Sequence, residues 1–246
     1  MGEATPIWEN VAVTVDDDIV ELRFHTGEES LVWSATAHRE AMEAFAWVGS
    51  RRSTQAVIVT GTGEDFCTRI DVNSFTGISW EEIAWEGRRM VLNLTDIEVP
   101  VISAVNGPAT CHSELIVAGD VVVSSDTAVF GDHVHMTRNT VPGDGVHAIW
   151  GLLLGASRSR YFLLTAATID AEEGRRIGFV HEIVSPDAVL ARAWEIAREF
   201  AAKPHGVLRF AKATVSMPFR RYLSEDISHG FGLEGSGHWT DGGIKE

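Results

Sequence analysis

Apolar and polar residues alternate through Val11-Ala12-Val13-Thr14-Val15 and through Ile19-Val20-Glu21-Leu22-Arg23-Phe24, with Asp16-Asp17-Asp18 between them, so a β-hairpin is expected at the start of the chain. From His38 to Val48 the period lengthens: Ala41, Met42, Phe45 and Val48 recur at helical spacing, with Thr36 as an upstream cap. Ala56-Val57-Ile58-Val59-Thr60 is a continuous apolar run of strand length that ends at Gly61-Thr62-Gly63. A second helix is expected over about Trp80 to Leu94, where Trp80, Ile83, Met90, Val91 and Leu94 share a face. Further strands are expected at 101–105, 121–123 and 127–130, and a short helix near Ser113. Helical patterns then dominate, from His147 to Thr165, Ala171 to Ile177 and Pro186 to Ala202, the last with its proline in the first turn. Strands alternating with helices imply an α/β fold. The expected division is a core over residues 1–185 and a helical region with its tail over 186–246. Glycines among polar residues from Gly230 to Gly243 suggest a mobile tail.

Composition narrows the function classes. The chain has 246 residues, 45% hydrophobic and 22% charged, which suits a globular fold and excludes collagen or coiled coil. No window reaches the ~20 uninterrupted apolar residues of a membrane helix, and the first residues lack the pattern of an export signal. A net charge of −15 opposes nucleic acid and anionic lipid as partners but leaves a small neutral substrate open. The two cysteines, Cys67 and Cys111, form no disulfide framework or C-x-x-C pair, which suits a reducing compartment; the expected location is the cytoplasm.

Gly61-Thr62-Gly63 lacks the lysine and spacing of a phosphate loop and reads as a turn, and no Gly-x-Ser-x-Gly elbow offers a serine nucleophile. His133-Val134-His135 with His112 or Asp144 has the ingredients of a zinc site, but histidines two apart share a face only on a regular strand, and a proline-glycine loop follows closely. The expectation is therefore no metal and no cofactor.

Four segments in order resemble the crotonase (enoyl-CoA hydratase/isomerase) superfamily: Val57-Ile58-Val59-Thr60-Gly61 with Phe66, Cys67 and Asp71; Ala104-Val105-Asn106-Gly107 with Ala109, Glu114, Leu115 and Asp120; Val141-Pro142-Gly143 with Gly145; and Leu164-Thr165 through Ile169-Asp170-Ala171-Glu172-Glu173 to Ile177-Gly178-Phe179-Val180. The resemblance covers about residues 10–202. It implies a spiral of ββα units, assembly as a homotrimer or homohexamer through C-terminal helices, and stabilisation of enolates or oxyanions by hydrogen-bond donors. The departures point away from coenzyme A. Thr68-Arg69-Ile70-Asp71 replaces a glycine-containing turn, Pro108 to Ser113 replaces a glycine-rich run and brings in His112, and Glu28 and Glu29 stand where the family places basic residues for phosphates. Asp132-His133-Val134-His135 replaces a segment carrying one catalytic carboxylate of the hydratases, although Glu114 matches the other.

This set of departures is similar to a smaller branch, the β-diketone hydrolases of the 6-oxocamphor hydrolase type, which cleave a carbon–carbon bond of a cyclic 1,3-diketone with water in a retro-Claisen reaction. The matching strings are Ser30-Leu31-Val32-Trp33 with His38; Asn106-Gly107-Pro108 with His112 and Glu114; His135 with Val141-Pro142-Gly143-Asp144-Gly145; Ser159 to Thr165; and Glu234. The resemblance assigns roles to Trp33, His38, His112, His135, Asp144 and Glu234. Such chemistry needs a base for water, donors for an oxyanion and a proton for the departing enolate, and His135 with Asp144 suits the first. His112 and the Trp33 indole N–H suit the second, and Glu234 either orients His135 or delivers the proton. Plainer readings stand beside these: His38 as a helix cap or pocket wall, Trp33 as core, Asp144 as a turn residue. The rival activity is that of an enoyl-CoA hydratase or isomerase.

Overall fold

The computed structural model describes residues 5–240. Its main sheet has six strands in the order β1 (Val11–Asp16), β2 (Ile19–Phe24), β4 (Ala56–Gly61), β6 (Val101–Val105), β7 (Val121–Ser125) and β10 (Glu182–Val184). β1 and β2 form the expected antiparallel hairpin, and the remaining neighbours are parallel. β4 is buried throughout because both faces of the sheet are covered: Val57 and Val59 point into one core, Ala56 and Ile58 into another. Helix α6 (Val189–Ala201) closes the second core with Val189, Ala193, Ile196 and Ala197. It begins three residues after Pro186, which lies in the preceding turn rather than in the helix.

A smaller layer contains β3 (Leu31–Trp33) paired with β5 (Cys67–Ile70), and β8 (Val129–Phe130) paired with β9 (Ile169–Asp170). Ala109 joins these pairs through bridges to Cys67 and Phe130. The chain thus repeats one turn of structure: a main-sheet strand, a short element in the small layer, then a helix. β4, β5 and α2 (Trp80–Thr95) make one such turn; β6, Ala109 and α3 (Ser113–Val117) make the next. This is the expected α/β spiral. Helix α1 (Ala35–Ser50) packs on α2 and is capped by the Ser34 side chain, which accepts from the Ala37 N–H; Thr36, the expected cap, lies inside the first turn.

α4 (Val146–Thr165), kinked at Gly155, and α5 (Ala171–Ile177) precede the last long helix. That helix, α7 (His205–Thr240), corrects the expected mobile tail over 230–243: residues 230–240 are helical, and 241–243 lie outside the described residues. Its glycines serve close packing. A Cβ at Gly230 would overlap His147 and the Gly143 carbonyl, and one at Gly235 would overlap the Trp80 indole. α7 consequently lies against α2 and α4 and against the loop preceding α4. Among the described residues no helix is long and apolar enough to cross a membrane.

Candidate active site

One cavity of about 490 Å³ collects the candidate residues from distant parts of the chain: Trp33 at the end of β3, His38 on α1, His112 just before α3, His135 in the loop after β8, Asp144 just before α4, and Glu234 on α7. Ile70, Phe75, Trp80, Ile83 and Phe231 supply an apolar wall. His112 holds a left-handed backbone (φ 49°, ψ 41°), uncommon without glycine, where the chain turns into α3. Its ring lies against Trp33, with centroids 4.0 Å apart and planes inclined by 35°.

Two carboxylates face His112. Its Nδ1–H donates to Glu114 Oε1 at 2.8 Å, and Asp144 Oδ2 lies 3.5 Å from the same nitrogen. Burial pushes the His112 imidazole down, but the charge and hydrogen bond of Glu114, reinforced by Asp144, outweigh it and raise the ring to about 9. His38 supplies the contrast within the same cavity. Burial and the neighbouring positive His112 lower it to about 4. It is a neutral wall residue whose Nε2–H donates to the Ile83 carbonyl at 3.1 Å, and it caps no helix.

His135 is tied by both nitrogens. Nδ1–H donates to Asp132 Oδ1 at 2.8 Å, whereas Nε2 faces Asp144 Oδ2 at 3.6 Å and Glu234 Oε1 at 3.7 Å. Asp144 is therefore at ion-pair rather than hydrogen-bond separation, and the carboxylate that orients the ring is Asp132. The Asp-x-x-His spacing was the signal for it, because a turn brings such residues together. Burial opposes the charged form of His135, yet Asp144, Asp132 and Glu234 together raise it well above its ordinary value. Asp144 divides its oxygens: Oδ1 accepts from the Val146 N–H at 3.2 Å, leaving Oδ2 between the two imidazoles. Burial pushes this carboxyl up, but His135 and His112 outweigh that and hold it below the usual range. Burial raises Glu234 to about 7.

Two buried polar atoms of the cavity lining lack a hydrogen-bond partner among the described residues. Trp33 Nε1 and Glu234 Oε2 are buried without a hydrogen bond, a condition that costs about 1–3 kcal/mol per group and that a ligand can relieve. The donors could also gather a divalent ion, as His112, Glu114 and Asp144 or as His135, Asp144 and Glu234. At neutral pH a metal would have to displace protons from both raised imidazoles. His133, considered in sequence as a zinc partner of His135, is exposed and joins neither group.

Comparisons with known proteins agree with this fold. The model of the enoyl-CoA hydratase/isomerase family matches residues 15–233. The chain is 26% identical over 238 residues to a probable peroxisomal enoyl-CoA hydratase of Arabidopsis thaliana, covering 90% of this chain and 86% of that one. It is 30% identical over 179 residues to a (7aS)-7a-methyl-1,5-dioxo-2,3,5,6,7,7a-hexahydro-1H-indene-carboxyl-CoA hydrolase of Mycobacterium tuberculosis, covering 71% of each. Among solved structures, a β-diketone hydrolase from the cyanobacterium Anabaena bound to (S)-3-oxocyclohexyl acetic acid superposes with a TM-score of 0.91 at 40% identity, over 94% of both chains.

Proposed function

The chain belongs to the enoyl-CoA hydratase/isomerase family, and within it we propose that it hydrolyses a carbon–carbon bond of a cyclic β-diketone by a retro-Claisen reaction. The observation that carries this reading is the meeting of His112, His135 and Asp144 in one apolar-walled cavity, two imidazoles sharing one carboxylate oxygen. The 40% identity to a β-diketone hydrolase supports it.

In the proposed reaction His135, oriented by Asp132 on Nδ1, takes a proton from water at Nε2, and the hydroxide adds to one carbonyl carbon. The oxyanion that forms is held by the His112 imidazolium, whose Nε2 has no protein partner among the described residues, and by the Trp33 N–H. The bond to the central carbon breaks, its electron pair leaving as the enolate of the second ketone. A proton from Glu234 or His135 converts that enolate to a ketone, and the product is a keto acid, one water heavier than the substrate. Because His135 is raised well above its ordinary value, its basic form is the minor one near neutrality and grows as pH climbs, while His112 stays charged up to about 9. Activity is therefore expected to increase on the alkaline side of neutrality and to decline as His112 loses its charge above about 9.

Glu114 argues against the rival hydratase. It is 1% exposed, bound to His112, and absent from the cavity lining, so it presents no open carboxylate to an enoyl thioester. Self-association as a homotrimer or homohexamer fits the exposed apolar residues of α4 and α7, Tyr161, Leu164, Phe210 and Val215, and light scattering would measure it. The decisive experiment is incubation with a panel of cyclic 1,3-diketones and mass detection of the keto acids. Hydration of an enoyl-CoA with every diketone left intact would overturn the reading.

A further inference from the structure

Among the described residues Arg138 is the one permanently charged cation lining the cavity. It is exposed, so it stands at the opening, and its guanidinium makes no ion pair or side-chain hydrogen bond among the described residues. Its position is nevertheless built. The His135 carbonyl accepts from the Arg138 N–H at 2.8 Å and from the Thr140 N–H at 3.0 Å, and Asn139 between them takes a left-handed conformation (φ 59°). The turn that carries Arg138 and Thr140 is thereby pinned to the backbone of His135, and both side chains line the same cavity.

The charge distribution gives this placement a purpose. Two buried acids, Asp144 and Glu234, line the cavity, Asp132 stands behind His135, and the whole chain carries −15. A ligand carboxylate finds every permanent positive charge of the lining at the mouth. Guanidinium groups bind carboxylates through paired N–H donors, and a hydroxyl alongside adds another. We propose that Arg138, assisted by Thr140, forms a carboxylate subsite at the cavity mouth, occupied by the keto acid as it is released or by a carboxylate already present on the diketone. The inference rests on the hydrolytic reading above, in which a neutral group becomes a carboxylate within the cavity.

Isothermal titration of wild type, Arg138→Gln and Arg138→Lys with the anion of (S)-3-oxocyclohexyl acetic acid and with the corresponding amide tests the subsite directly. The acid should bind roughly tenfold more tightly than the amide in wild type, less so at raised salt, as expected for a partly exposed charge-assisted contact. The preference should fall severalfold in Arg138→Gln, leaving only what the charged His112 contributes, and survive in larger part in Arg138→Lys. Equal binding of acid and amide by wild type, or an unchanged preference in Arg138→Gln, would overturn the proposal. The source of the carboxylate follows from kinetics. If Arg138→Gln lowers kcat/KM selectively for a carboxylate-bearing diketone, the subsite reads the substrate; if it weakens only inhibition by the keto acid, the subsite reads the product. Should no diketone be turned over, the hydrolytic reading falls, and the acid-to-amide ratio still decides the role of Arg138.

Discussion

Substituting Glu114 by glutamine removes one charge and keeps the shape of the side chain, so it isolates what that carboxylate does for His112. The rise of His112 from 6.5 to about 9 corresponds to about 3 kcal/mol favouring the charged ring. His38, equally enclosed but bonded to a backbone carbonyl instead of a carboxylate, is driven the other way, to about 4, by burial and by the neighbouring charge of His112. Glu114 is the leading source of the rise and Asp144 the lesser one, so Glu114→Gln should return His112 most of the way to neutrality. The oxyanion donor would then be lost at a lower pH, bringing the alkaline limb of the kcat/KM profile down from about 9 and reducing activity at pH 8 by roughly tenfold. Stability should change in the same sense. A raised folded-state value contributes stability that is complete below 6.5 and disappears as pH climbs through about 9, so wild type should lose stability over that interval and the variant much less. Nuclear magnetic resonance titration of labelled histidine, alongside pH–rate profiles, reads both effects. A His112 signal still titrating near 9 in Glu114→Gln, or an alkaline limb that stays put, would refute this account of the site.

Three further outcomes follow from the same geometry. His135→Ala should lower turnover of a β-diketone by about 10²–10⁴-fold, and wild-type turnover in this variant would exclude His135 as the base. Trp33→Phe keeps the ring packed on His112 but removes the unpartnered N–H; kcat/KM should fall roughly 10- to 100-fold with a small change in melting temperature, whereas unchanged kinetics would make Trp33 plain core. Gly230→Ala would force α7 away from His147 and the Gly143 carbonyl, destabilising the fold by about 1–3 kcal/mol and separating Glu234 from His135; retention of both melting temperature and activity would show that the contact yields freely.

Much of the fold was legible because apolar period and burial coincide. α5 (Ala171–Ile177) and α2 match their patterns almost to the residue, and β4 reads as a buried strand because both of its faces are covered. β3, β5 and β10 escaped because each spans only three or four residues, too few to show a period. α7 escaped for a different reason. Glycine lowers helix propensity by about 1 kcal/mol relative to alanine, so Gly230, Gly232, Gly235 and Gly237 spell flexibility to any local reading. At Gly230 and Gly235 the missing side chain instead makes room for His147 and Trp80, a tertiary fact that local pattern does not carry. Within the site, the resemblance singled out the residues that now face one cavity, but it paired His135 with Asp144 and passed over Asp132, whose 2.8 Å hydrogen bond orients the ring.

Under the proposed function Glu114 acts through a neighbouring side chain. Buried and bound to an imidazole, it no longer offers a carboxylate to substrate but sets the charge on a neighbouring donor. Asp144 then couples that donor to His135 through a single oxygen, so the proton affinities of base and oxyanion holder are linked by one charge. Such coupling suits a substrate that enters neutral and becomes anionic during reaction. A proton arriving on His135 strengthens its attraction to Asp144 at the moment negative charge develops beside His112, and the buried carboxylates need no movement to respond. Under the same proposal the exposed Arg138 keeps its permanent charge apart from the buried carboxylates, whose partners are imidazoles that can exchange protons as the reaction proceeds.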